Sequence, residues 1–585
     1  MLNLEKSPEG IGLLGWNTEL PASGIDDPLG MTLRVGARLA AELMHCITSV
    51  TPRARYYSFY PWAFERTYGR LGKAGTLAGA MQMVLLDERA MTLGAVLHHE
   101  GRTCDGGALQ GSTEAIHFAR SPSGESLDLR SWSHLADNAS GFAPYKGSLV
   151  NLGLFEDGEV GEQGEEGEEA GTLRSGRLSG KGRRLAEAFG RAVANTRFVH
   201  LKPEDSAVPL DVLKEFGAAA GLCELMSADD CDLRPLRDLF FATDLEDENN
   251  SHHRRRMSLL LLLWAVDTTR VAGRDLDART FDDLTFYGVV FDENDNASSV
   301  EVPGPLADIA QRWRIFHFHN YLTTALEALL SGLVRSLRYH PAGRSISDVL
   351  EAFNSDEANT GLAEYFRFES DVRFMELTPI DALALIGIDA ESWRSRSSTG
   401  GKMMFGDTLI ERSIRAGLVD DGLVSGTIGP ALSILLLLAL VLRFEHTVAE
   451  AYQGWNRAKA YQPLSDISMP TLAQALVMEL GSNWWTRPLR DVVARVMTRF
   501  VVRQHETMSY EKGYGGSPPL FRVDGVMIVG MDLVLDNIGA GNPRFGSAMR
   551  VLRDLRLIVN DAEEGLILTA EGRGLLKTFL ENARS

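Results

Sequence analysis

The spacing of apolar residues predicts a chain built mainly from helices. Residues 305–337 carry an apolar stripe at helical intervals, and residues 430–452 begin with a helix that is apolar nearly all round. The most apolar runs are 257–266 and 431–442. Both are much shorter than the ~20 residues that a membrane-spanning helix needs, so we interpret them as buried helices and expect no membrane association.

The densest aromatic stretch is TPRARYYSFYPWAF, residues 51–64. Thr51 and Pro52 are typical of a helix start, so the stretch predicts a helix. Tyr56, Phe59, Tyr60, Ala63 and Phe64 then fall on one face of that helix. Pro61 removes a backbone donor and crowds the carbonyl four residues back, which predicts a kink or a restart.

Two interpretations of this aromatic stretch differ in function. Arg53 and Arg55 could bind phosphates while neighbouring rings stack on the bases of a single strand. Alternatively, the rings belong to the core and the two arginines pair with buried carboxylates. The helical phasing of the aromatic residues favours the core interpretation.

The C-terminal region has the clearest local signals. Residues 542–558 begin with Asn542 as a helix cap and Pro543 at the first helical position. Two short apolar strands then surround an acidic turn within residues 557–569, and a last helix follows Thr569. Helix, two-stranded wing and helix in this order resemble a winged helix-turn-helix. The predicted fold class is therefore mainly α and multi-domain, with helical core domains and a small C-terminal β wing.

Charge runs suggest a domain boundary before the middle of the chain. Residues 156–169 carry eight acids and no base, and residues 174–184 carry five bases and no acid. The predicted organisation has four parts: a mixed, mostly helical domain at 1–154, an acidic-then-basic flexible linker at 155–184, a helical middle region at 185–485, and a basic helix plus winged helix-turn-helix at 486–585.

Net charge opposes indiscriminate binding to nucleic acid or anionic membranes. The chain has 59 basic and 79 acidic residues, and 59 − 79 gives −20. Residues 487–585 carry 14 bases and 12 acids, so their net charge is +2, and the net charge of the rest of the chain is −22. This asymmetry has the direction that DNA binding needs, because lysine and arginine neutralise phosphates.

The candidate DNA-binding residues lie on two predicted helices of the C-terminal region. Arg495, Arg499 and Arg503 recur at i, i+4 and i+8 on the first helix. The second helix offers Arg544, Ser547, Arg550 and Arg553. The alternative is a winged helix that binds only protein, with its arginines paired to the acidic remainder of the chain.

Sequence motifs point to no catalytic residue and no cofactor. A GxxxxGK[ST] phosphate loop and a GxSxG nucleophile elbow do not occur. The cysteines are Cys46, Cys104, Cys223 and Cys231, without a CxxC pair, which favours a reducing cytoplasm over a disulfide framework. The segment HHEGRTC at 98–104, and His317 with His319, contain metal-ligating residue types. No set of about four ligands is visible in the sequence, so we predict no metal.

Part of the aromatic stretch resembles a bacterial domain-of-unknown-function family whose members read roughly LG…PG(T/I)ST…TRARY…F.PW. The matching residues are Thr48, Ser49, Arg53, Ala54, Arg55, Tyr56, Phe59, Pro61 and Trp62. His45 and Cys46 stand where the family tends to Pro-Gly. The phrase GNPRFGSAMRVLRDLRLI is similar to the endings of proteins from mobile and anti-phage defence loci. The resemblance implies a multi-gene prokaryotic system that acts on or near DNA.

We therefore expect a cytoplasmic, non-catalytic, DNA-contacting recognition or scaffold subunit of a multi-component defence complex. Its expected partners are double-stranded DNA and an ATPase or nuclease encoded alongside it. One alternative is a winged-helix protein–protein bridge, like the kleisin-type subunits that join motor ATPases, without DNA contact. A second alternative is a nuclease with a metal site assembled from scattered acidic residues.

Overall fold

The computed structural model gives a mainly helical chain, as predicted, whereas the C-terminal winged helix-turn-helix stays a prediction. It describes residues 27–71, 77–103, 109, 111–120, 124–130, 142–156, 176–202, 206–227, 232–241, 250–369, 371–395, 409–447, 467–511, 519–531, 535, 538–539 and 543–583.

The helices before residue 250 include the one that the aromatic stretch forms. In chain order they are α1 (Ala37–Leu43), α2 (Tyr56–Leu71), α3 (Leu77–His98), α4 (Ser112–Arg120), α5 (Phe142–Asn151), α6 (Gly180–Val193), α7 (Leu210–Ala220), α8 (Leu222–Ser227) and α9 (Leu233–Phe241).

The helices after residue 250 include the longest helix of the described residues. They are α10 (Ser251–Val271), α11 (Ala278–Asp282), α12 (Ala307–Leu337), α13 (Ile346–Phe353), α14 (Asp356–Phe366), α15 (Pro379–Leu385), α16 (Ala390–Ser395), α17 (Ile410–Val419), α18 (Gly429–Thr447), α19 (Met469–Leu480), α20 (Leu489–Val496), α21 (Arg503–Glu511), α22 (Pro543–Asp554) and α23 (Ala570–Asn582). Within the described residues, π-helical segments occur at Met31–Gly36, Asp283–Tyr287 and Met497–Val502.

The β-structure of the described residues consists of two-stranded antiparallel pairs. The strands are β1 (Ser126–Asp128), β2 (Ala207–Pro209), β3 (Val289–Phe291), β4 (Ala297–Ser299), β5 (Phe521–Asp524), β6 (Met527–Gly530), β7 (Ile558–Asp561) and β8 (Gly565–Leu568). β1 pairs with β2 across several intervening helices, whereas each of the other pairs is a hairpin of two strands that are close in the sequence.

The apolar runs of the sequence form the centre of the core. The run from Met257 to Val266 lies in α10 and is buried, as is the run from Ala431 to Leu442 in α18. α12 packs against both helices. Trp313 on α12 is fully buried, and its indole N–H donates to the Ser258 hydroxyl of α10 at 3.0 Å. A buried indole with a partner fixes how these helices meet.

The helices of the described residues do not have the character of membrane spans. In the part of the chain that the structure describes, none of them combines enough length with enough apolar character to cross a bilayer.

The helix of the aromatic stretch differs from the prediction at Pro61. α2 begins at Tyr56, after the Thr51–Pro52 pair, and runs through Pro61 without a break. The expected restart at Pro61 is therefore wrong. Pro61 is buried, as are the aromatic rings before and after it. Tertiary packing of those rings offsets the backbone donor that proline removes.

The predicted linker at 155–184 lies only partly within the described residues. Residues 157–175, with most of the acidic run, lie outside the described residues. The flanking residues are ordered against each other, because Phe155 and Leu178 form an antiparallel bridge. Ser179 then caps α6, and α6 packs on α2. The basic run therefore begins a packed helix of the first half of the chain.

Candidate functional site

The signature arginines of the aromatic stretch face inward. Arg53 forms an ion pair with Asp554 of α22, with 2.8 Å between Nη2 and Oδ1, and both side chains are buried. The other oxygen of Asp554 accepts from the backbone N–H of Ala54 at 2.9 Å. Burial raises the pKa of Asp554 to about 6, although Arg53 opposes that shift. The hydrogen bond between Ala54 and Asp554 joins residues 500 positions apart in the sequence.

Arg55 organises a second buried cluster. Its guanidinium lies 3.6 Å from the carboxylate of Asp232, and it donates to the backbone carbonyls of Gly221 and, at 2.9 Å, Ala219. The Ser58 hydroxyl also donates to Asp232. Buried charges of this kind need pairing and hydrogen bonds, and Arg55 has both. Its contacts hold the chain between α7 and α8.

The aromatic members of the signature belong to the core. Tyr56, Phe59 and Trp62 are at most 7% exposed. Phe59 and Trp62 both contact the ring of Phe189 on α6. These rings have no exposed face to stack on a nucleotide base. The core interpretation therefore describes residues 51–64, and the single-strand interpretation does not.

The region around α22, which we call the second helix–hairpin unit (residues 543–568), turns much of its predicted DNA-binding surface inward. Arg544 donates to the backbone carbonyls of Met44 at 3.0 Å and Ile47 at 3.1 Å. Burial lowers the pKa of Arg544 to about 10. Ser547 is 2% exposed. Because the guanidinium of Arg544 binds protein carbonyls and Ser547 is buried, the structure does not favour the prediction that these two residues contact DNA.

The other two candidates of the second unit lie nearer to solvent. Arg550 is exposed, and Arg553 donates to the side chain of Asn560 on β7 at 3.2 Å. The turn between β7 and β8 is acidic, with Asp561, Glu563 and Glu564. An acidic hairpin tip repels a phosphate backbone. Helix, hairpin and helix are present in the predicted order, and Thr569 caps α23 by accepting from Gly572 N–H at 3.1 Å.

The first helix–hairpin unit (residues 489–530) presents its arginines outward. It consists of α20, the π segment at Met497–Val502, α21 and the β5–β6 hairpin. Arg495, Arg499 and Arg503 are exposed along one continuous helical path. Arg499 forms an ion pair with Glu479 of α19 at 2.5 Å, and both side chains are substantially exposed.

Two carboxylates at the start of the π segment Asp283–Tyr287 form a buried polar cluster. Asp282 lies 3.0 Å from Nδ1 of His317, and Asp283 lies 3.0 Å from Nε of Arg412. Burial raises the pKa of Asp283 to about 7, against the opposing charge of Arg412. His319 instead contacts the backbone carbonyl of Met31 at 2.8 Å. The two histidines of α12 therefore serve different partners and do not form a joint ligand set.

A third group brings two histidines and a cysteine together. His98 ends α3, His99 follows it, and Cys223 lies in the first turn of α8. One donor atom from each residue lies within 4.8 Å of the other two. Nε2 of His99 is 3.3 Å from Sγ of Cys223. Cys104 of the HHEGRTC segment lies outside the described residues.

Comparison with known proteins adds no family. No protein-family model matches the chain, and neither a curated protein nor a solved structure matches it. The resemblance of the aromatic stretch to a bacterial family therefore stays a prediction.

Sequence reasoning missed the partner of the two adjacent histidines. Cys223 lies 124 residues after His99, and nothing in its spacing indicates that it lies beside them. The signal that could have suggested it is the pair Gly94 and Gly217, which lie inside α3 and α7. Glycines in helix interiors often mark places where two backbones approach closely.

Proposed function

We propose that the chain is a recognition or scaffold subunit of a multi-component prokaryotic complex, of the kind that defence loci encode. In this proposal it contacts the phosphates of double-stranded DNA through Arg495, Arg499 and Arg503. The observation that supports it best is the exposure of all three arginines on one helical path. An ATPase or nuclease encoded alongside would be the protein partner.

The π segment between these arginines affects the directions in which their side chains project. In an α-helix of 3.6 residues per turn, side chains four residues apart drift by about 40° at each step. A π turn holds more residues, so the segment at Met497–Val502 counteracts part of this drift between Arg495 and Arg503.

The ion pair of Arg499 does not prevent phosphate contact. Its bond to Glu479 is exposed, and exposed pairs contribute no more than about 1 kcal/mol. A phosphate can therefore replace the carboxylate at low cost. Salt dependence is the expected signature, because each neutralised phosphate releases counterions.

The second candidate function is a protein–protein bridge without DNA contact. The inward orientation of Arg544 and the acidic tip at Asp561–Glu564 favour it, because together they deprive the second helix–hairpin unit of a phosphate-binding face. In this alternative the arginines of the first unit would bind an acidic protein surface.

The test is a salt series of the full chain on labelled duplex DNA. We expect binding that weakens with salt, and a log–log slope that falls by about 2 to 3 when Arg495, Arg499 and Arg503 are all replaced by Gln, since each phosphate contact contributes about 0.9. The matched control replaces three other exposed arginines, Arg234, Arg279 and Arg573, by Gln. Equal losses in both variants, or no binding at low salt, would contradict the proposal.

A further inference from the structure

We propose that His98, His99 and Cys223 bind a divalent cation of the zinc class. Imidazole nitrogen and thiolate sulfur are the ligands that zinc prefers, and three protein ligands with one remaining position form a recurrent type of zinc site. The site does not depend on the proposed DNA contact, because it lies on different elements of the fold.

The close approach of two helices brings the ligands together. α3 and α7 pack at Gly94 and Gly217, where a Cβ on either glycine would overlap the backbone of the other helix. His98 and His99 follow Gly94 by about one helical turn, and Cys223 follows Gly217 by six residues. Because the two backbones are in contact at the glycines, the chain segments that follow them are also close together at His98, His99 and Cys223.

Contacts beyond the ligands hold both segments in place. Arg55 binds the carbonyls of Ala219 and Gly221, immediately before Cys223. On the other side, Glu100 and Gly101 have φ values of 53° and 80°, and the N–H of Gly101 donates to the carbonyl of Val96 at 2.9 Å. Two successive left-handed residues end α3 sharply, and glycine is the residue that tolerates this best.

The distances suit a tetrahedral ion. Bonds of about 2.0–2.1 Å to nitrogen and 2.3 Å to sulfur place tetrahedral donor atoms about 3.3–3.6 Å apart. His99 and Cys223 are already 3.3 Å apart, and all three donor atoms lie within 4.8 Å of one another. An ion therefore needs only a small adjustment of half-buried side chains.

His99 also lines a small pocket, and we place the remaining coordination position of the proposed ion there. Arg102, Thr103 and Ser112 contribute polar groups to the lining of this pocket, and Val96 and Leu222 contribute apolar ones. A water molecule or a small anion can occupy such a position, and Arg102 favours an anion. Binding also requires the Cys223 thiol to lose its proton, so affinity should fall as the pH is lowered.

Cobalt is the probe for this site, because Co²⁺ bound to a thiolate gives a charge-transfer absorption that zinc lacks. We expect the metal-free full chain to bind one Co²⁺ with this absorption, and Zn²⁺ to displace it. Replacing Cys223→Ser should abolish the absorption. His99→Ala should weaken binding at least about tenfold, since losing even an outer-shell partner costs about 10–100-fold.

Controls separate this site from general metal binding. His200→Ala removes an exposed histidine elsewhere, and Cys46→Ala removes a buried thiol whose pKa burial raises to about 12. Both should bind Co²⁺ as the parent does. Absence of the charge-transfer band, or its persistence in Cys223→Ser, would overturn the proposal.

A measurement on the unaltered chain keeps the proposal testable if a variant fails to fold. Alkylation of cysteines can be followed residue by residue by mass spectrometry. Zn²⁺ should slow alkylation of Cys223 and leave that of Cys46 unchanged. Equal rates for Cys223 with Zn²⁺ and with a chelator would overturn the proposal.

Discussion

The two helix–hairpin units of the C-terminal region share an order of elements and use their arginines in opposite ways. In the first unit, residues 489–530, Arg495, Arg499 and Arg503 are exposed. In the second unit, residues 543–568, Arg544 donates to carbonyls of the N-terminal segment. The comparison teaches that an arginine pattern on a helix does not say which side of the helix faces solvent.

The difference arises from what packs against each helix. Asp554, at the end of α22 in the second unit, forms a buried ion pair with Arg53 and accepts a hydrogen bond from the backbone N–H of Ala54. In the first unit, the ion pair of Arg499 with Glu479 is exposed. Buried pairs are costly to break and exposed pairs are not, so the units should respond very differently to substitution.

The largest expected effect is the loss of the Asp554 carboxylate. Asp554→Ala leaves Arg53 buried without its partner, which should lower the free energy of unfolding by about 3–5 kcal/mol. The matched change in the first unit, Glu479→Ala, should cost no more than about 1 kcal/mol. Urea denaturation followed by circular dichroism measures both. Equal losses of unfolding free energy in the two variants would contradict the difference between the buried and the exposed ion pair.

The second-largest expected effect is a pH dependence of the free energy of unfolding, which arises from Asp554 in the second unit. The pKa of Asp554 is about 6 in the folded chain, against an ordinary value of 3.8, because burial disfavours its charge. The folded chain therefore keeps a proton that the unfolded chain has lost. This contribution is complete below about pH 4 and disappears as the pH rises through about 6, and its full size is on the order of 3 kcal/mol.

Asp554→Asn should remove this part of the pH dependence. The free energy of unfolding of the parent, relative to that of the variant, should fall between about pH 4 and pH 7. Asp524→Asn, on the exposed first hairpin, is the control and should not change the profile. A parent and an Asp554→Asn variant with parallel pH profiles would refute the burial argument.

A smaller effect is expected at Arg544. Arg544→Ala leaves the carbonyls of Met44 and Ile47 without this donor, which should cost about 1–3 kcal/mol. Arg503→Ala changes an exposed side chain of the first unit and should stay within about 0.5 kcal/mol of the parent. Thermal denaturation distinguishes the two. If Arg503→Ala destabilised the chain more, the assignment of inward and outward arginines would be reversed.

The smallest effect concerns the hairpin turns. Gly525 has a φ of 63°, and a Cβ added there would have no described atom within 4 Å, so Gly525→Ala should cost about 1 kcal/mol of backbone strain. Gly565 has a φ of 73°, and its Cβ would overlap the carboxylate of Asp275, which accepts from Leu566 N–H at 2.7 Å.

Gly565→Ala should therefore cost about 1 kcal/mol more than Gly525→Ala, because it disturbs that hydrogen bond as well. Melting temperatures of the two variants, measured side by side, give the comparison. A larger loss in Gly525→Ala would indicate that the second hairpin is not anchored by Asp275.

Local signals predicted elements better than they predicted surfaces. Thr569 was recognisable as a helix cap because capping depends on neighbours three residues away, and the structure has that bond. The long helix predicted at 305–337 is found as Ala307–Leu337. Helical phasing also identified the aromatic residues of 51–64 as core.

Long-range packing accounts for what the sequence did not reveal. Whether Arg544 meets phosphate or protein depends on Met44 and Ile47, which are about 500 residues away. The proximity of His99 and Cys223 likewise depends on the approach of two helices at their glycines. Periodicity identifies a helical face, but only tertiary contacts determine what covers it.

The most direct test of the contrast between the units is the reactivity of individual arginines towards an arginine-specific dicarbonyl reagent, mapped by mass spectrometry on the native chain. We predict fast modification of Arg495, Arg503 and Arg550, and protection of Arg53, Arg55 and Arg544 until the chain is denatured. Modification of Arg544 as fast as that of Arg503 in the native chain would contradict the account.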